Sequence, residues 1–129
     1  MATDLTALLA ELQDATDGSR ELDMRVALAS GYKRSRLGIG GGFDWVAPDR
    51  TLSFLPEFST SINAALTLVP DGMWWLLDKR RTRPDGALYG AQIMLRSGHG
   101  YAVDVVAETE AHTPALAMCC AALRSKIDN

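Results

Sequence analysis

Leu5, Leu8, Leu9 and Leu12 recur at i, i+3, i+4 and i+7, the spacing that lines one face of an α-helix. Thr3 or Asp4 stands where a side-chain oxygen can accept from the free N–H groups of the first turn. Asp17-Gly18 interrupts this pattern. Ser19 then caps a second predicted helix, with Leu22, Val26 and Ala29 on one face and Gly31 at its end, so the two helices form a hairpin. Across residues 32–42 the periodicity vanishes. Lys33, Arg34 and Arg36 precede Gly38-Ile39-Gly40-Gly41-Gly42, where backbone freedom is wide and packing groups are few, which predicts a mobile loop.

Phe43 and Trp45, then Leu52 and Phe54, alternate with polar or small residues on either side of Pro48-Asp49, the pattern of a short β-hairpin. Ser59 or Thr60 can cap a third helix with Ile62, Ala65, Leu66 and Val69 along one stripe, stopped by Pro70-Asp71-Gly72. Three antiparallel strands follow. Residues 74–79 form an apolar run; Tyr89, Ala91, Ile93 and Leu95 alternate with Gly90, Gln92, Met94 and Arg96; and Tyr101, Val103, Val105 and Ala107 alternate with Ala102, Asp104, Val106 and Glu108. Arg83-Pro84-Asp85-Gly86 and Ser97-Gly98-His99-Gly100 have the residues that tight reversals require. The last helix starts at Thr113 and Pro114, carries Leu116, Cys119, Cys120, Leu123 and Ile127 on its apolar face, and places Arg124 and Lys126 near its negative C-terminal end.

The predicted order is ααββαβββα, an α+β fold in a single domain over residues 1–129, with no repeat or linker to mark a second. If the run Trp74-Trp75-Leu76-Leu77 is apolar on both faces, its strand is central and helices cover both sides. The expected architecture is then an α/β/α sandwich around an antiparallel sheet.

Composition narrows the class. A chain of 129 residues can bury one sizeable core, and 47% hydrophobic with 22% charged residues is ordinary for a globular domain. No window approaches 18 consecutive apolar residues, and Asp4 and Glu11 flank the first leucines where a signal peptide would be basic and then apolar. The expected location is the cytoplasm, without a membrane partner. Cys119 and Cys120 are adjacent within a helical apolar pattern, which suits reduced core thiols better than a disulfide framework or a metal set.

Two segments carry a resemblance: Pro56-Glu57-Phe58-Ser59-Thr60-Ser61-Ile62-Asn63-Ala64-Ala65 and Thr113-Pro114-Ala115-Leu116-Ala117-Met118-Cys119-Cys120-Ala121-Ala122-Leu123. With Arg20-Glu21-Leu22-Asp23 and Val26-Ala27-Leu28-Ala29, the chain resembles the phage ABA-sandwich domain family along most of its length. That resemblance implies an α–β–α sandwich and a phage or prophage origin. It implies no reaction and no site residues.

Little in the chain promises catalysis. His99 and His112 have no carboxylate or cysteine at ligand spacing, no serine lies in a Gly-x-Ser-x-Gly elbow, and residues 38–42 lack the Gly-Lys-Ser/Thr of a phosphate loop. No catalytic, metal or cofactor-binding residue is expected, and the chain reads as a non-enzyme. The uneven feature is basic. Lys33, Arg34, Arg36 and Lys79, Arg80, Arg81, Arg83 are more than half of the 13 lysines and arginines, although the net charge is −3. They are candidate contacts for a partner or for nucleic acid, against a plainer reading as a solvated basic edge that deters strand pairing.

The order α-β-β-β-α over residues 62–127 is also that of a double-stranded-RNA-binding domain, but such domains enter the final helix through lysines, whereas Glu108 and Glu110 precede it here. The leading expectation is therefore a small phage or prophage accessory protein that binds a host or phage protein, as an inhibitor, an anti-defence factor or an assembly factor. A nucleic-acid module is the alternative, and a homodimer is compatible with either.

Overall fold

The computed structural model describes residues 5–35, 45–83, 86–96 and 103–127. Ten elements follow in order: α1 (Leu5–Asp14), α2 (Arg20–Ala29), β1 (Lys33–Arg34), β2 (Trp45–Val46), β3 (Leu52–Ser53), α3 (Ile62–Leu66), β4 (Met73–Arg83), β5 (Gly86–Arg96), β6 (Val103–Ala111) and α4 (Pro114–Ile127). The fold is α+β, and the expected succession ααββαβββα is present with one addition. Lys33 and Arg34, read as loop, form a two-residue strand paired antiparallel to β2. Thr3, Asp4, the glycines at 38–42, Phe43 and the turn residues 84–85 and 97–100 lie outside the described residues.

Local signals explain most boundaries. The Ser19 hydroxyl accepts from the Leu22 N–H at 3.1 Å and so caps α2, whose end is followed by Gly31 at φ +95°, a left-handed conformation that favours glycine. Thr113 caps α4 in the same way, its Oγ1 accepting from the Leu116 N–H at 3.2 Å. The cap of α3 is neither Ser59 nor Thr60 but Ser61, which accepts from the Ala64 N–H at 3.2 Å. Ser59 is withdrawn into the interior instead.

Helix α4 organises the core. Its residues from Ala115 through Leu123 are all buried, so it is apolar all round rather than amphipathic. One side lies on β5 and β6, and the other meets α1, α2 and α3. Small side chains permit the close approach: Ala117 and Ala121 on the helix, Ala91, Ala107 and Ala111 on the sheet. The Thr109 hydroxyl donates to the Ala117 carbonyl at 2.9 Å and pins helix to sheet in the buried layer.

The two sheets have orders β1-β2-β3 and β4-β5-β6, all pairs antiparallel. In the larger sheet Trp75 pairs with Ile93 and Ile93 with Ala107, which sets those residues on the face beneath α4. Trp74, Met94 and Val105 share the opposite face by the same registers. Helix α4 packs on β5 and β6, α1 reaches β6, and α1, α2 and α3 pack on α4. Strand β4 is not central. It lies at an edge, and α4 sits over its neighbours, which leaves both apolar faces of β4 incompletely covered.

Candidate interaction surface

Strand β4 begins Met73-Trp74-Trp75-Leu76-Leu77, a sequence that buries well only when covered on both faces. At the sheet edge it is not. On the outer face Trp74 is 53% exposed and Leu76 45%, beside Met94 and Val105, the latter 51% exposed; on the face beneath α4 Trp75 is 46% exposed. Large apolar side chains are thus exposed on both faces of the start of β4, and clustered exposed apolar side chains on folded domains mark contact sites. Across the outer face the next paired rows turn polar: Leu76, Gln92 and Glu108, then Asp78, Gly90 and Glu110. An apolar centre beside a polar margin is the anatomy of a protein-binding surface.

The seven basic candidates divide between the two sheets. Lys33 and Arg34 are exposed on β1, where the Arg34 guanidinium lies over the Trp45 ring at 5.7 Å from its centroid, a cation–π contact. Arg36 lies outside the described residues. Lys79 is exposed on β4, and Arg80, Arg81 and Arg83 complete that strand, with a register shift between Lys79 and Arg81. That bulge falls where the strand becomes cationic. A bulge and a run of charges are both features that hinder pairing of an edge with another chain.

A constellation that sequence reasoning missed lies at the other end of the helices. Asp23 is fully buried on α2, and its Oδ1 accepts from the Ser59 N–H at 2.7 Å and the Ser59 hydroxyl at 2.6 Å. Its Oδ2 accepts from Arg20 Nη1 at 2.8 Å, and Arg20 Nη2 donates to the Leu55 carbonyl at 2.8 Å. Ser59 Oγ also accepts from the Ser19 N–H at 2.9 Å. Burial, hydrogen bonding and an ion pair all favour a structural lock joining the start of α2 to the segment before α3. One signal in the sequence marks it: Asp23 stands three and four residues before Val26 and Ala27, an acid written into an apolar stripe.

An acid touching a serine hydroxyl invites a catalytic reading, which the surroundings oppose. Both residues are fully buried, and no histidine is among their hydrogen-bond partners. The thiols are equally inert. Cys119 donates to the Phe58 carbonyl at 3.0 Å, and burial, with Asp23 nearby, pushes its thiol well above the ordinary cysteine value. Burial pushes Cys120 up to about 11. Among the described residues, no group of three or more His, Cys, Asp and Glu is placed to hold a metal ion, and no helix is long and apolar enough to cross a membrane.

Comparison of the chain with models of protein families, with curated proteins and with solved structures yields no match. The site is therefore read from its own geometry.

Proposed function

We propose that this chain is a non-enzymatic interaction protein, an accessory protein of phage or prophage origin that binds a host or phage protein along β4. The observation that carries the reading is the exposure of Trp74, Trp75 and Leu76 on an edge strand whose two faces are both apolar. A partner strand added beside β4 would extend the sheet at its edge, and side chains from the partner would cover the exposed tryptophans. Aromatic residues of this kind supply much of the affinity at interfaces. The origin is inferred from the family resemblance of the helix starts, and an inhibitory or anti-defence role is one form the interaction takes.

A double variant, Trp74→Ser with Leu76→Ser, changes side chains that point away from α4 and should fold. Tagged wild-type and variant protein are exposed to host lysate treated with nuclease. A stoichiometric protein retained by the wild type and lost by the folded variant is the expected result; equal retention by both removes β4 from the interaction.

A second reading is favoured by the cationic half of β4: a nucleic-acid module in which Lys79, Arg80, Arg81 and Arg83 contact phosphates. Its mark would be binding that weakens steeply with salt and is abolished by Arg80→Ser, Arg81→Ser and Arg83→Ser together. Salt-independent binding, or none, eliminates it.

A further inference from the structure

Strand β4 is apolar over residues 73–77, charged at Asp78 and Lys79, and shifted in register against β5 between Lys79 and Arg81. Alternation along the strand puts Trp74 and Leu76 on the outer face and Met73, Trp75 and Leu77 on the face beneath α4. Met73 and Leu77 are partly buried against the core, whereas Trp75 between them is exposed, as are Trp74 and Leu76 on the other side. A helix or a small ligand laid on one face would leave the other uncovered. A strand set beside β4 covers both at once.

The residues of β4 themselves specify which strand fits. In an antiparallel pair related by a twofold axis at Trp75, Met73 falls opposite Leu77 of a second copy, Trp74 opposite Leu76, and Trp75 opposite its own equivalent. All five apolar residues then meet apolar residues, and the register shift at Lys79 lies beyond the paired segment. The same arithmetic brings Lys79 opposite Asp71, an exposed acid in the reversal ahead of β4, and symmetry makes that match twice. Moving the axis to Leu76 sets Trp74 against Asp78 and Met73 against Lys79. Moving it to Trp74 sets Leu76 against Gly72, whose φ of +82° is not that of a strand. Pattern, charge and backbone thus agree on one register.

We infer that the chain pairs with a second copy of itself along β4, joining two three-stranded sheets into one of six strands. The two Trp75 side chains meet across the axis on the face beneath α4, and on the outer face each Trp74 packs on Leu76 of the other copy, the cross-strand contacts that hold antiparallel pairs together. Closed twofold symmetry uses both β4 edges, so assembly along this strand stops at two. The inference rests on the reading of β4 as a binding edge and names the protein that occupies it.

Sedimentation equilibrium of the purified full chain at about 50 μM should give twice the chain mass, with a Kd below about 10 μM. Leu76→Lys, at an exposed outer position, should weaken the dimer tenfold or more while circular dichroism shows an unchanged fold. The register is read by cross-linking. Under oxidising conditions a mixture of Trp74→Cys and Leu76→Cys proteins should form a disulfide-linked pair and neither protein alone should, because position 74 faces 76 and not itself; Cys119 and Cys120 are buried. A monomer at about 50 μM, growth beyond two copies, or cross-linking of either variant alone as readily as the mixture would overturn the dimer. A monomer whose β4 still retains a protein from host lysate leaves the binding-edge reading standing, whereas a monomer with equal retention by wild type and the Trp74→Ser, Leu76→Ser variant removes both.

Discussion

Gly18 shows how closely the start of α2 is fitted to the segment before α3. A methyl group at its Cβ position would lie 2.2 Å from the Ser59 carbonyl oxygen, an approach that only backbone movement could relieve. The same movement would pull Ser59 from Asp23, because the hydroxyl and N–H of Ser59 both bind that carboxylate. Gly18→Ala is therefore expected to cost about 2 kcal/mol or more through overpacking and loss of the lock. Ser59→Ala removes one donor while the Ser59 N–H and Arg20 remain, and should cost about 1–2 kcal/mol. Urea unfolding of the two variants checks the order; a Gly18→Ala protein as stable as Ser59→Ala would show that the close approach relaxes without consequence. The lock joins residues 36 positions apart in sequence, so its pairing could not be read from local pattern. What could be read was the anomaly of Asp23 within the α2 stripe.

Helices and strands were legible where local chemistry decides: Ser19 and Thr113 as caps, Gly31 past the end of α2, and the alternation of β5 and β6. Ser59 and Thr60 were the expected caps of α3, but Asp23 holds Ser59 in the interior and the Ser61 hydroxyl takes the Ala64 N–H instead. The position of β4 was illegible for a different reason. A strand apolar on both faces has the composition of a central strand, and the sequence contains no sign of which cover is missing. That ambiguity is also why the candidate surface was not foreseen, while the basic clusters, visible as sequence runs, were. Helix α4 was recognised from its caps and apolar residues, but its burial on all sides follows from its place between the sheet and the other helices. Alanines are what permit that place. Ala121→Leu should destabilise the protein by about 1–3 kcal/mol by forcing α4 from its neighbours, whereas Arg124→Leu, at an exposed position of the same helix, should change stability by less than about 0.5 kcal/mol. Equal effects in denaturant titration would mean that the helix is not held as tightly as its burial implies.

A molecule with a buried α4 carries two thiols into its interior, and this couples the fold to alkali. The unfolded chain loses its cysteine protons near the ordinary value of 9.0, while the native state keeps Cys120 protonated until about 11 and Cys119 beyond that. Tyr32 acts in the same sense, its phenol raised first by burial and then by Asp49. For each of these groups the folded value exceeds the unfolded one, so the native state binds more protons above pH 9 and stability falls as pH rises. Lys126 opposes them: its folded value is depressed, so the native state holds that proton less tightly and stability rises as pH climbs toward 10.5. One partly exposed lysine is outweighed by two buried thiols and a phenol. The urea midpoint is therefore expected to be flat from about pH 7 to 8 and to fall progressively between about pH 9 and 11. A variant with both Cys119→Ala and Cys120→Ala should start from a lower midpoint, because it loses packing and the bond to Phe58, yet show a shallower alkaline decline. Parallel declines in the two proteins would assign the alkaline sensitivity to groups other than the thiols and would contradict the deep seating of α4.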